Sequence, residues 1–176
     1  MRFTFEKERF FRRLAFVILI VVTALFQHTR GVMPQIGAAR AWLLVPLVAA
    51  ISLRETNVAA MLLGTLAGLL WDFASPSMDG YYAILFCILS FVTGTLASFF
   101  LRRNFTACLL VTAVWLVLTG VTHWAFFIAL GGMDHAVHIL LRLELASCVY
   151  TFCFTPLYYF IVSGMDGLFR REQKPI

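Results

Sequence analysis

Long apolar runs separated by short polar breaks account for almost the whole chain. The runs cover residues 14–26, 41–53, 58–73, 80–101, 105–130 and 138–162. About 20 helical residues, each rising 1.5 Å, cross a hydrocarbon core of ~30 Å. The pattern predicts an all-α integral membrane protein, a six-transmembrane-helix bundle. Its helices are expected at about 14–29, 39–53, 57–73, 80–101, 105–130 and 138–162, between an N-terminal segment 1–13 and a tail 163–176. The second run is the short one. Its length of ~20 Å means either that residues 36–40 extend it or that neighbouring helices shield it from lipid. Pro46 and Pro156 are expected to kink their helices.

The first 13 residues mix Arg2, Lys7, Arg9, Arg12 and Arg13 with Phe3, Phe5, Phe10 and Phe11. Phe3, Phe10 and Phe11 share a helical face, which fits a short interfacial helix. The basic lead and apolar run look like a signal peptide. However, Gln27-His28-Thr29-Arg30 follows without a small-x-small cleavage site, so the run reads as a retained first membrane helix.

Composition agrees with the pattern. Hydrophobic residues make up 61% of the 176 and charged residues 13%, with a mean hydropathy of +0.89; soluble domains carry about 25% charged residues. The net charge of +5 is therefore read first as a topology signal rather than as a sign of nucleic acid. Residues 1–13, 54–57, 102–104 and 163–176 hold eleven of the 14 Lys and Arg residues. That distribution places both termini in the cytoplasm, with Arg12, Arg13, Arg102 and Arg103 as cytoplasmic anchors. Cys87, Cys108, Cys148 and Cys153 all fall inside apolar runs and read as small buried hydrophobes.

The densest pattern lies in the third run. Gly64, Gly68 and Asp72 are four apart and form one helical stripe, and Gly80 opens the next run after a turn containing Pro76. Glycines at this spacing let two helices approach at backbone distance in lipid, either within the chain or against another protein. Gly94 lies on the following helix. Asp72 falls at a helix C-terminus, where the dipole disfavours a carboxylate, so it needs a compensating partner. It is either a conformational pin, accepting N–H bonds from the start of the fourth helix, or a ligand or proton site. By depth, His123, Arg142 and Glu144 lie near Asp72, which suggests an outer-half polar cluster with an Asp72–Arg142 pair. The alternatives are a hydrogen-bonded core histidine and an Arg142 that snorkels to the interface.

His135, His138 and Asp134 lie around the fifth turn, but no metal site is assigned to them. The sequence has no nucleophile with a paired base, no closely paired acids and no glycine-rich phosphate loop. Neither enzymatic chemistry nor a cofactor is expected.

Gly64, Gly68, Asp72 and Gly80, followed by Gly94 and the pair Arg102-Arg103, resemble the central signature of the MreD family of rod shape-determining proteins. The match covers roughly residues 54–103. It departs from the family in the turn, where Pro76 and Met78-Asp79 replace a small residue and Pro-Leu. The resemblance implies a non-enzymatic scaffold of the bacterial cell-elongation machinery in the cytoplasmic membrane. Its partner would be MreC, with RodA, a class B penicillin-binding transpeptidase and, indirectly, MreB beside it. The family is also similar in fold to the substrate-binding subunits of energy-coupling-factor vitamin transporters. That likeness supplies the alternative function, with Asp72, His123, Arg142 and Glu144 holding a small molecule. A docking Ala-x-x-x-Ala pair would then be expected on the first helix, which has only Ala15 and Ala24, nine apart.

Overall fold

The structure, a computed structural model, describes residues 2–29, 40–75, 80–99, 103–129 and 145–171, and those residues contain no strand. Helix α1 (Arg2–His28) runs without a break for about 40 Å. The expected interfacial segment 1–13 is therefore the beginning of the first helix, not a separate element. One stripe of α1, formed by Phe16, Ile20, Thr23 and Ala24, is buried, while Leu14, Ile18, Val21 and Leu25 face outward. These positions recur at three- and four-residue intervals, as helical geometry requires of a face packed on a bundle.

Helix α2 (Leu44–Ser52) lies at the centre, and all nine of its residues are buried. Its packing partners are α1 and the helices that begin at Asn57, Tyr81, Phe105 and Thr155. At about 14 Å it is less than half the thickness of the hydrocarbon core. The helix over Leu44–Ser52 is shielded by its neighbours, one of the two expectations for the short run; residues 36–39, the other, lie outside the described residues. Pro46 lies in its first turn, where a missing N–H goes unused, so it begins the helix instead of kinking it. No side chain of the Leu43 cap closes that end; Gln27 Oε1 of α1 instead accepts the Leu44 N–H at 2.9 Å.

Helix α3 (Asn57–Ala74) and helix α4 (Tyr81–Phe99) form the tightest pair in the bundle. Helix α5 (Phe105–His123) continues into a π-helical turn over Trp124–Ala129. Trp115 Nε1–H donates to Thr93 Oγ1 at 2.9 Å and fixes α5 against α4.

The expected last helix is broken into α6 (Leu145–Phe152) and α7 (Thr155–Arg171). The two meet at 41° across Cys153 and Phe154. Pro156 is the second residue of α7, and α6 ends at Phe152, the residue four back whose carbonyl a proline cannot use in a continuous helix. The expected tail 163–176 is helical as far as Arg171.

Among the described residues four helices, Arg9–His28, Asn57–Ala74, Tyr81–Phe99 and Phe105–Phe126, are long and apolar enough to cross a membrane, and the bent pair makes a fifth if it is one span. The described part of the expected second span, α2, is too short to be counted with them.

Candidate functional site

The polar residues gather at the two ends of the bundle. One end holds Asp72 at the close of α3. Asp72 Oδ1 accepts the Tyr82 N–H at 3.0 Å and Oδ2 accepts the Ala83 N–H at 2.9 Å. Those residues are the second and third of α4, whose donors an N-cap side chain ordinarily satisfies. The cap position is Gly80, whose carbonyl accepts the Ile84 N–H. Gly80 has no side chain, and its φ of +90° is one that other residues rarely adopt. Asp72 does the capping from the neighbouring helix. The unfavourable α3 dipole is thereby offset by two charge-assisted bonds and by the positive end of α4.

Aromatic rings enclose this capped end. Trp71 stacks on Tyr82 with centroids 4.5 Å apart and planes at 17°. Trp42 and His28 meet the other sides of Trp71 at 6.3 and 6.4 Å. His123 stacks on Tyr82 at 6.3 Å. Asp72 and His123 therefore share a neighbourhood, with Tyr82 between them. Arg142 and Glu144 lie outside the described residues.

The glycine stripe closes this end against α4. A Cβ added at Gly68 would meet the Tyr82 carbonyl oxygen and would lie 2.5 Å from Ala83 Cα. One added at Gly64 would meet Ser90 Oγ and lie 2.8 Å from the Phe86 carbonyl oxygen. Gly94 faces Asn57 Cα at 3.1 Å from the opposite side of the seam. Gly64, Gly68 and Gly94 are thus used within the chain, and the surface expected for a partner helix is already occupied by α4.

The other end is ionic, and it is the part that sequence reasoning missed. Arg12 of α1 contacts Glu55 Oε1 at 2.6 Å and Asp166 Oδ1 of α7 at 3.0 Å. Arg54 reaches Asp166 Oδ2 at 3.5 Å, and its guanidinium lies 5.1 Å from the centre of the Tyr159 ring. Arg13 Nε approaches Glu55 Oε2 at 3.6 Å. Glu55 and Asp166 are 2% and 4% exposed. The Glu55 oxygens make charge contacts without an aligned hydrogen bond. Close by, Asn57 bridges Thr95 and Ser98 of α4.

Arg12, expected as a cytoplasmic anchor, is mostly buried and pairs with two buried carboxylates. Arg13 is half-exposed, Arg103 is exposed, and Arg102 lies outside the described residues. A signal for Asp166 was present in the sequence. It shares a helical face with the buried Thr155, Tyr158 and Val162, and an acid on an apolar stripe needs a cation. No group of three or more His, Cys, Asp or Glu residues suited to a metal occurs among the described residues. Compared with known protein families, curated proteins and solved structures, the chain gives no match.

Proposed function

We propose that this chain is a non-enzymatic membrane scaffold of the MreD type. In this reading it binds MreC and supports lateral peptidoglycan synthesis beside RodA, a class B penicillin-binding transpeptidase and, indirectly, MreB. It resides in a bacterial cytoplasmic membrane with the ionic end and both termini in the cytoplasm, the side favoured by the basic segments.

One observation carries the reading. Gly64, Gly68, Asp72, Gly80 and Gly94, the residues behind the resemblance, share a single mechanical task. Gly64, Gly68 and Gly94 bring α3 and α4 to close approach, Gly80 turns the chain into α4 at a φ of +90°, and Asp72 caps α4 across the gap. The product is a stiff hairpin whose outer faces are apolar, with Leu62, Leu69 and Phe73 on α3 and Ile84, Ile88 and Phe91 on α4. Such faces suit other membrane helices. A substrate-binding role for Asp72 would have to use the lone pairs left over by the two N–H groups it holds, on a side chain that is buried.

The test is extraction of the tagged full-length chain from its native membrane in mild detergent, with co-purifying proteins identified by mass spectrometry. MreC and the elongation synthases are expected, and should be lost when Leu69→Trp or Ile88→Trp adds bulk to an outer face without touching the seam. Recovery of transporter ATPases in their place would overturn the scaffold reading in favour of a vitamin-transporter subunit.

A further inference from the structure

Arg13 differs from the other arginines of the ionic end. Arg12 and Arg54 turn into the bundle, with side chains 18% and 9% exposed, whereas that of Arg13 is 46% exposed. Its 3.6 Å approach to Glu55 is longer than a hydrogen bond. Three arginines face two carboxylates here, so one positive charge is left over, and Arg13 is the arginine open to the surroundings.

Arg13 also stands at the mouth of a half-open groove of about 220 Å³ between α1 and α3, lined further by Thr56, Val58, Ala59, Leu62 and Leu63. That is smaller than the ~300–1,000 Å³ of ordinary small-molecule pockets. The groove is polar at one end and apolar along the rest. Its polar end combines the guanidinium, the Thr56 hydroxyl and the first turn of α3, where Thr56 makes no side-chain capping bond. Its depth fits a membrane boundary, because the apolar spans of α1 and α3 begin at Arg9 and Asn57. A soluble anion has no use for the apolar wall, and a neutral lipid has none for the cation.

We propose that this groove holds one anionic phospholipid. Its phosphate lies at Arg13 and Thr56, and the upper part of one acyl chain lies along Val58, Leu62 and Leu63. Surplus positive charge at the headgroup level attracts anionic lipid, while the groove gives the chain a fixed seat. The proposal does not depend on which proteins the scaffold binds.

Native mass spectrometry of the full-length chain, purified in detergent and supplied with phosphatidylglycerol or phosphatidylcholine in equal amounts, tests it. One phosphatidylglycerol per chain is expected to stay bound, about fivefold more often than phosphatidylcholine. Arg13→Gln should remove most of that preference. Leu62→Trp, which fills the groove and leaves the ion pairs intact, should lower retention of both lipids, so the test survives if Arg13→Gln does not fold. Arg103→Gln, an exposed charge outside the groove lining, should change nothing. Equal retention of the two lipids, or unchanged retention in both Arg13→Gln and Leu62→Trp, would overturn the proposal. So would displacement of the lipid by inorganic phosphate alone.

Discussion

Gly68→Ala adds a single methyl group where α3 meets the backbone of α4. The new carbon would lie 2.5 Å from Ala83 Cα and 2.6 Å from Ala83 N, and would also meet the Tyr82 carbonyl oxygen. Carbon pairs rest at ~3.5–4.0 Å, so α4 must withdraw by about 1 Å. All three obstructing atoms are backbone, so no rotamer change relieves them. Overpacking of this kind costs about 1–3 kcal/mol.

The displaced peptides are also those whose N–H groups Asp72 holds at 2.9–3.0 Å. Weakening these charged bonds, worth ~1.5–3 kcal/mol each, adds to the loss. Alanine returns ~1 kcal/mol through its better helix propensity. The expected net destabilisation is about 2–4 kcal/mol. Gly94→Ala provides the control. Its neighbours, Asn57 Cα at 3.1 Å and Ala60 Cβ at 3.3 Å, need to yield only slightly, and the propensity gain offsets that, so it should stay within about 1 kcal/mol of wild type. Equilibrium unfolding in mixed micelles, followed by ellipticity and tryptophan fluorescence, measures both. Wild-type stability in Gly68→Ala, or a larger loss in Gly94→Ala, would refute the account of the seam.

Asp72→Ala strands the N–H groups of Tyr82 and Ala83 and should cost about 2–4 kcal/mol, with Asp72→Asn losing roughly half as much. Hydrogen exchange at those two amides should accelerate in step, and slow exchange in Asp72→Ala would count against the cross-helix cap. Asp166→Ala leaves Arg12 and Arg54 facing each other without their shared carboxylate. Removing one partner of a buried pair costs ~3–5 kcal/mol, reduced here to about 2–3 because Arg12 is partly exposed. An Arg54→Leu/Asp166→Leu double variant should unfold closer to wild type than Asp166→Ala. A single variant within about 0.5 kcal/mol of wild type would mean that the ionic end contributes little to stability.

The helices α3, α4 and α5 were legible because hydrophobic run length is local, and each of them has an exposed apolar side. The need of Asp72 for a compensating partner was legible for the same reason, since the residue and its helix end are adjacent in sequence. The bend in the last run was legible in Pro156, but its place at Cys153 and Phe154 was not, because both residues are apolar and hydropathy gives no break there. The charged residues from Arg2 are helical, as the interfacial-helix reading expected, and they run on into the apolar stretch as one helix because no glycine or proline separates the two.

The sequence by itself determined that this is a helical chain with runs long and apolar enough to cross a membrane, and it marked Gly64, Gly68, Asp72 and Gly80 as its seam. Tertiary structure alone decided that α4 closes that seam, that α2 is buried along its whole length, and that Arg12 turns inward to Glu55 and Asp166. Periodicity and run length are set by residues a few positions apart, whereas Arg12 and Asp166 are separated by 154 positions. Nothing local distinguishes an arginine destined for lipid headgroups from one that will be drawn to a carboxylate on the last helix. That choice is made only when α1, α2 and α7 pack and the carboxylates lose their water.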